Sequence, residues 1–291
     1  MKKLLSGPVF FLALILTSGS ASAGGHYAVG VEAYKASNMV TEGSFYKMYN
    51  AFVYADKFTD NQGQKTSGRS RLEAFTQLHR FGFHIAHLDA LGADLITDFA
   101  IPVSWQRIES GGWKSRAFGL GDLLFEPVLL SWHGERYDFL TTVTLFLPTG
   151  RYHQDEFSPG KNFWSILPSV GLVYYLDEKK SWTVSLLGRY EFNTENNGQR
   201  DGDSLMLEWA VGKNFGVFDL ALAGASKVQV TDNSGSRANR DTRDRQHSIG
   251  PELVYFHEPS GLQFSLRSLW DYETANGPQG NMTTLSIVKA F

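Results

Sequence analysis

The chain has 291 residues, no cysteine, and 30 acidic against 27 basic side chains, which gives a formal charge of −3. The absence of cysteine excludes a disulfide scaffold and thiolate metal sites. The slight acidity disfavours a nucleic-acid-binding protein, whose surface is usually basic. Only one segment is strongly apolar, which excludes a bundle of transmembrane helices but leaves a membrane β-barrel open, because barrel strands alternate apolar and polar residues.

The first 23 residues have the pattern of a cleaved secretory signal. A positive start (Lys2 and Lys3) precedes the apolar run 8–16, and Ala21-Ser22-Ala23 places small residues where a signal peptidase reads the chain. The apolar run is too short to span a bilayer. We therefore predict that residues 1–23 are removed and that the mature protein lies in the periplasm, in the outer membrane or outside the cell.

Residues 24–43, named here the N-terminal segment, show no clear period. The segment carries aromatic, polar and small residues, and it is long enough to enter the lumen of a barrel. Two interpretations stay open. The segment is either a lumen plug, with His26, Tyr27 and Glu32 as the contacting side chains, or a loose periplasmic tail.

Residues 44–291 are predicted to form a single β-domain. Segments rich in Val, Leu, Phe, Tyr, Trp and Thr alternate with turn residues, which is the composition of strands. We predict twelve strands, with the limits 45–56, 71–86, 92–107, 121–133, 137–148, 163–176, 182–193, 204–215, 218–230, 248–257, 262–274 and 281–291.

The connections between these strands alternate in length. Six longer loops alternate with five short turns, at 87–91, 134–136, 177–181, 216–217 and 258–261. Membrane barrels have this arrangement, with short periplasmic turns and longer extracellular loops. The predicted fold is therefore all-β, a single transmembrane antiparallel barrel of about twelve strands with both chain ends on the periplasmic side.

Side-chain alternation supports a barrel with an apolar outer face. In the segment 182–193, Trp182 and Leu186 share one face, whereas Thr183 and Glu191 share the other. A water-soluble sheet alternates too, since one of its faces packs on a core. Aromatic residues concentrate at both ends of the strands, as in the interfacial girdles of membrane barrels.

Charged residues within the strands are expected to face the lumen, because Arg or Lys on the lipid side costs about 2–4 kcal/mol near the membrane centre. The predicted pore-lining residues are Arg189, Arg267, Glu126, Glu191, Glu208, Glu252, Asp271 and Glu273. The two arginines are the foremost candidates, since they must pair with the surrounding carboxylates. These charges form either a constriction that selects solutes or a structural ion-pair network.

Three prolines, Pro127, Pro168 and Pro251, lie within predicted strands. Proline cannot donate to a strand ladder and is normally confined to edges and bulges. We predict a kink in the wall at each proline. The kinks either open the wall so that an apolar solute leaves sideways into lipid, or are bends without an opening.

Several motifs follow one another along the chain. They are Gly119-Leu120-Gly121-Asp122-Leu123 with Pro127 and Trp132-His133, then 148–152 (PTGRY), 160–164 (GKNFW), 190–196 (YEFNTEN) and 277–280 (GPQG). This ordered set resembles the outer-membrane proteins known as meta-pathway phenol degradation proteins, which are related to fatty-acid transporters. The chain departs from the family in lacking a proline between Tyr27 and Gly30.

The resemblance implies an outer-membrane channel for passive uptake of small hydrophobic or aromatic compounds. Such diffusion needs no cofactor, and no nucleotide or zinc motif is present. The expected partners are the apolar or aromatic solute, outer-membrane lipid, lipopolysaccharide, and the barrel-assembly machinery, which would recognise the terminal Phe291. Acidic residues of the outer loops are either calcium ligands or simply solvated.

Two other classes of function stay open, although we predict no enzyme. An outer-membrane lipid hydrolase needs an activated Ser–His pair, and the nearest candidate is His247-Ser248. Adjacent residues of a strand point to opposite faces, which argues against this pair. A structural barrel without transport would need adhesive loops, but the longest loop, 231–247, is polar and charged.

Overall fold

A computed structural model describes residues 24–32, 34–240 and 242–291. The predicted signal, residues 1–23, lies outside the described residues. The strands are β1 (Ser44–Phe58), β2 (Arg71–Leu88), β3 (Ala93–Ser110), β4 (Trp113–Leu120), β5 (Leu123–His133), β6 (Tyr137–Leu147), β7 (Ser165–Tyr175), β8 (Trp182–Asn193), β9 (Ser204–Asn214), β10 (Phe218–Gln229), β11 (Arg245–His257), β12 (Leu262–Ala275) and β13 (Pro278–Ala290).

Twelve of these strands close into an antiparallel ring. Strands that follow one another in the chain pair with each other, β3 pairs with β5, and β1 pairs with β13, so that Phe45 lies opposite Ala290. Closure pairs each of these twelve strands on both sides, as strands in a membrane require. The predicted barrel of twelve antiparallel strands is confirmed.

The additional strand β4 lies where the sequence predicted a loop. Gly111 and Gly112 have positive φ angles of 57° and 87° and reverse the chain directly after β3. Strand β4 then pairs with the end of β3 from Trp113 to Leu120, and β5 pairs with the beginning of β3. The prediction was wrong here because a two-residue glycine turn converts the loop into a hairpin.

The last long loop is also shorter than predicted. Strands β12 and β13 are joined only by Asn276 and Gly277, whereas the sequence predicted a loop at 275–280. The pairing between these two strands nevertheless stops at Trp270 opposite Asn281. Beyond that point β12 pairs with β11 and β13 pairs with β1, so the wall divides near the loop end.

The two faces of the wall differ as the alternation predicted. On β8, Trp182 and Leu186 are exposed, whereas Thr183 and Glu191 are buried. An apolar exterior around a polar interior is the arrangement of a barrel in lipid. Among the described residues, no helix has the length and apolar character needed to cross a membrane.

Strand pairing is interrupted beside each of the three prolines. The ladder between β5 and β6 shifts between Phe125 and Leu129, around Pro127. The ladder between β7 and β8 has no pairs between Ile166 and Ser169, around Pro168, and that between β11 and β12 has none between Ile249 and Glu252, around Pro251. Each gap reflects the N–H group that proline lacks.

Candidate functional site

The N-terminal segment contacts inward-facing side chains on nearly every side of the barrel. Its hydrogen-bond and ion-pair partners include Lys47, Arg80, Asp138, Ser165, Glu191, Glu208, Asp219, Glu252 and Arg267, which belong to nine different strands. The segment begins at Gly24, beside the loop residue Asp244. It ends at Gly43, where β1 begins and the terminal Phe291 lies close. The segment therefore runs along the interior of the barrel from the loop end to the turn end.

His26 is fixed by Asp122 of the β4–β5 connection, by Ser165 of β7 and by two aromatic rings. Its Nε2 atom lies 2.9 Å from Asp122 Oδ2, and its Nδ1 atom lies 2.7 Å from Ser165 Oγ. The rings of Phe146 and Phe163 lie 4.9 Å and 4.6 Å from the imidazole. Burial lowers the pKa of His26 below its usual value, although the hydrogen bond to Asp122 acts in the opposite direction. The residue is therefore held as a neutral imidazole at physiological pH.

Asp122 anchors this arrangement from the β4–β5 connection. One of its oxygens accepts the backbone N–H of Gly150 at 2.8 Å, and the other accepts that of Lys161 at 2.6 Å. Burial acts to raise the pKa of Asp122, but the hydrogen bonds from His26 and from these two backbone groups lower it. The carboxylate thus ties both ends of the β6–β7 loop to the N-terminal segment.

Ser165, His26 and Asp122 resemble a catalytic triad in distance but not in access. The Ser165 side chain is fully buried, and its hydroxyl also lies 2.6 Å from Asn193 Oδ1. A nucleophile must reach the substrate carbonyl, and this hydroxyl is enclosed between protein groups. The three residues therefore act as an anchor for the segment. In the other candidate pair, the Ser248 side chain is buried, whereas the ring of His247 contacts Ser226 at 2.9 Å.

Tyr27 contacts two of the predicted lumen charges, Glu208 and Arg189. Its hydroxyl donates a hydrogen bond to Glu208, and the guanidinium of Arg189 lies 4.5 Å from its ring centre. Arg189 also donates to Ser169 at 3.0 Å. Of the predicted lumen charges, Arg189 and Glu208 are thus brought together beneath a residue of the segment.

Glu32 is the most heavily paired acid of the segment. Its carboxylate lies 2.7 Å from Lys47 Nζ and 3.2 Å from Arg80 Nη1, and it accepts a hydrogen bond from Tyr49. Burial acts to raise the pKa of Glu32, but the positive charges of Lys47 and Arg80 outweigh this effect and lower the pKa to about 2. Glu32 is therefore ionised throughout the physiological range.

Arg80 contacts Glu32 of the segment and also two further buried acids, Asp98 and Glu126. Its Nη2 atom lies 2.6 Å from Asp98 and 2.6 Å from Glu126. The sequence analysis placed Glu126 in the lumen but did not single out Arg80. The alternation of side chains along β2 could have identified Arg80. Arg80 and Gly82 lie on the same face of β2, and Gly82 is opposite the acidic Asp98 on β3.

The remaining predicted lumen charges fall into two groups. Arg267 pairs with Glu252 at 3.1 Å and donates to the carbonyl of Val31 at 2.5 Å, whereas Asp271 accepts the backbone N–H of Gly280 at 2.9 Å. Glu273 is exposed at the loop end and pairs with Arg245 at 2.8 Å. The alternation of burial on β12 breaks after Tyr272, so that Glu273 is exposed and Thr274 is buried.

A cavity of about 240 Å³ lies between the start of the segment and strands β1, β11, β12 and β13. Its apolar lining includes Val29, Val53, Leu72, Leu269 and Met282. The place where the β12–β13 pairing stops forms one of its walls. Sequence reasoning missed this cavity because it depends on the seating of the N-terminal segment.

Within residues 24–32, 34–240 and 242–291, no group of three or more His, Asp or Glu side chains is placed to hold a metal ion. The interior acids are instead engaged with arginine, lysine, tyrosine and backbone N–H groups, as for Glu32 and Asp122.

Comparison with known proteins gives one family and one similar fold. The family described as the MetA pathway of phenol degradation matches residues 55–287. The COG4313 outer membrane channel from Pseudomonas putida F1 superposes with a TM-score of 0.78 at 19% identity, covering 87% of this chain and 97% of that one. No curated protein matched the sequence.

Two further solved barrels are less similar. The TodX monoaromatic hydrocarbon channel, in its ΔS2S3 mutant form, gives a TM-score of 0.47 at 10% identity and covers 88% of this chain and 92% of that one. The transport unit of the autotransporter AIDA-I from Escherichia coli gives 0.48 at 12% identity, with 87% and 92% covered. Both scores are too low to support an argument about function.

Proposed function

Because the chain belongs to the family described as the MetA pathway of phenol degradation, we propose that it is an outer-membrane channel for small apolar or aromatic compounds. Diffusion down the gradient of the solute would drive uptake. The observation that carries this proposal is the apolar cavity at the loop end of the barrel. Other parts of the interior hold buried ion pairs, such as Arg80 with Asp98 and Glu126, which would not favour an apolar solute.

The cavity has the size and lining for a single aromatic ring. An apolar cavity of about 150 Å³ binds benzene, and the volume here is about 240 Å³. Its charged rim includes Lys227 and Asp244, whereas Leu269 and Met282 lie on its wall. A ring entering from the loop side would leave water at the rim and gain apolar contacts in the cavity.

In this proposal the N-terminal segment is a plug that closes the path beyond the cavity. Its support is the set of contacts that His26, Tyr27 and Glu32 make with three strands around the barrel, β7, β9 and β2 respectively. Arg189 and Arg267 would then hold the plug in its seat, in addition to lining the path. Passage of a solute requires that the segment shift or that the wall open.

A sideways exit is supported by the interruptions in the wall. The pairing gap beside Pro168 contains Leu167, and the gap opposite Pro251 contains Leu269. Both leucines are buried and belong to the apolar cluster that includes Tyr27 and Val29. We propose that these side chains cover the gaps while the segment is seated and that its movement uncovers them.

Two partners complete the proposal. Phe291 is 70% exposed at the end of the chain, where the barrel-assembly machinery could bind it. Arginines of the 230–244 loop, such as Arg237 and Arg243, lie at the loop end and would contact lipopolysaccharide phosphates, since guanidinium groups bind phosphate strongly.

Filling the cavity tests the proposed solute path. We expect Met282→Trp to slow uptake of toluene into vesicles that carry lipopolysaccharide in the outer leaflet, because the indole would occupy the space of the solute. Leu285→Trp is the matched control, since Leu285 lies on the same strand but is exposed on the outer face. Equal uptake by Met282→Trp and the wild-type protein would contradict the path.

A further inference from the structure

The backbone N–H of Gly24 has a carboxylate placed directly against it. The Gly24 nitrogen donates to Asp244 Oδ2 at 3.0 Å. The second oxygen of that carboxylate accepts from Asn276 at 2.6 Å. The backbone of Asp244 is held by Gln229 on both sides, with Gln229 N–H donating to its carbonyl at 2.8 Å and its own N–H donating to Gln229 Oε1 at 3.1 Å. Asp244 is therefore a preformed acceptor aimed at one nitrogen.

The backbone groups that follow the Gly24 nitrogen are also bound by charged side chains. Lys227 donates to the carbonyl of Gly24, and Lys161 donates to that of Gly25. Glu191 accepts the backbone N–H groups of His26 at 2.5 Å and Tyr27 at 3.2 Å. Charged side chains thus bind four consecutive backbone positions at the start of the segment, with a geometry suited to a chain end.

Glycine fits closely at the first position of this site and is required at the second. A Cβ on Gly24 would lie 2.9 Å from Asp244 Oδ2, and one on Gly25 would overlap the Glu191 carboxylate. Gly25 also has a φ angle of 80°, which side-chain-bearing residues seldom adopt. The pair Gly24-Gly25 follows directly after the small residues of the predicted cleavage site.

We propose that cleavage after Ala23 creates an α-ammonium group at Gly24 and that Asp244 binds it as a half-buried counter-ion. Hydrolysis of the Ala23–Gly24 peptide bond consumes one water and leaves a carboxylate on the released peptide and an amine on Gly24, which is protonated at neutral pH. The structural contact then becomes an ion pair and retains its hydrogen bond. Processing of the chain would thereby fasten the segment at the loop end.

The electrostatic surroundings of Asp244 support this inference. Burial raises the pKa of the Asp244 carboxyl, and the negative charge of Asp201 acts in the same direction. The positive charge nearby comes from Lys227, which is also engaged with the Gly24 carbonyl and with Glu191 at 3.5 Å. An additional positive charge at the Gly24 nitrogen would stabilise the ionised form of Asp244.

The inference rests on the predicted cleavage and on the seating of the segment, and it is independent of the solute. Its first test is the intact mass of the protein purified from outer membranes. We expect the mass of residues 24–291. A mature chain that begins at any other residue would overturn the proposal, because its amine could not lie at Asp244.

The second test is the reactivity of the terminal amine. Pairing that raises the pKa of an amine by one unit lowers its reactive neutral fraction about tenfold. We therefore expect N-hydroxysuccinimide acetate at neutral pH to acetylate Gly24 about tenfold faster in Asp244→Asn than in the wild-type protein. Asp232→Asn, which changes an exposed acid paired with Arg243 in the same loop, is the matched control.

A variant with two serines inserted between Ala23 and Gly24 separates the ion pair from loop effects. We expect its displaced amine to react at the faster rate of Asp244→Asn, with Asp244 unchanged. If the wild-type protein, Asp244→Asn and the extended variant are acetylated at the same rate, the ion pair does not exist. None of these rates depends on transport, so failure here leaves the proposed channel to be judged separately.

Discussion

A disulfide between residues 24 and 201 will block uptake in its oxidised form and restore it on reduction. A Cβ on Gly24 would lie 3.8 Å from Cβ of Asp201, which is the usual separation in a disulfide, and the natural chain has no cysteine. In Gly24→Cys with Asp201→Cys, the segment is fastened at its start by the disulfide and at its end by strand β1. We expect toluene uptake by the oxidised protein to fall to the rate of protein-free vesicles.

The two single-cysteine variants, treated with the same oxidant, control for the substitutions and for the oxidant itself. Both should transport toluene as the unoxidised double variant does. If the oxidised double variant transports at the full rate, the segment need not leave its seat. The solute would then pass from the cavity through the divided wall between β12 and β13.

Replacing Arg80 will destabilise the barrel more than replacing an exposed arginine. Arg80 contacts Asp98, Glu126 and Glu32, and all three carboxylates are buried. Removing one partner of a buried ion pair costs about 3–5 kcal/mol because the opposite charge stays buried and unpaired. We expect Arg80→Met to lower the free energy of unfolding by about this amount in urea titrations of the protein reconstituted in lipid.

The control for this prediction is Arg243→Met. Arg243 and its partner Asp232 are about half exposed, and exposed ion pairs contribute about 0–1 kcal/mol. Arg80→Lys keeps the charge but loses the forked donor geometry, and it should lie between wild type and Arg80→Met. Equal stabilities of Arg80→Met and Arg243→Met would show that the buried network does not support the fold.

The sequence predicted the barrel well because a wall between lipid and a polar interior dictates alternation. The strands β8 and β9 begin at Trp182 and Ser204 as predicted. Strand β4 was missed, although the two-residue turn Gly111-Gly112 is a local signal for the hairpin that β4 forms with β3. The exposure of Glu273 could not be predicted, because the alternation of burial on β12 breaks after Tyr272.

The candidate site could be predicted only in part. Parity placed Arg189, Glu191 and Glu208 on the inner face, where they are buried. Their partners could not be predicted, because they belong to a segment without period whose path is fixed by side chains from nine strands. The Gly24 contact with Asp244 joins residues 220 positions apart, so no local signal connects them.

Uptake of three solutes tests the channel most directly. Vesicles with lipopolysaccharide in the outer leaflet and the mature protein would be offered toluene, benzoate and a small sugar, with protein-free vesicles as the reference. The proposed function predicts that the protein accelerates toluene entry and leaves sugar entry at the reference rate, because the cavity is apolar and the path beyond it is closed to freely hydrated solutes. Equal acceleration of all three solutes would reveal a general pore, and no acceleration of toluene would contradict the channel.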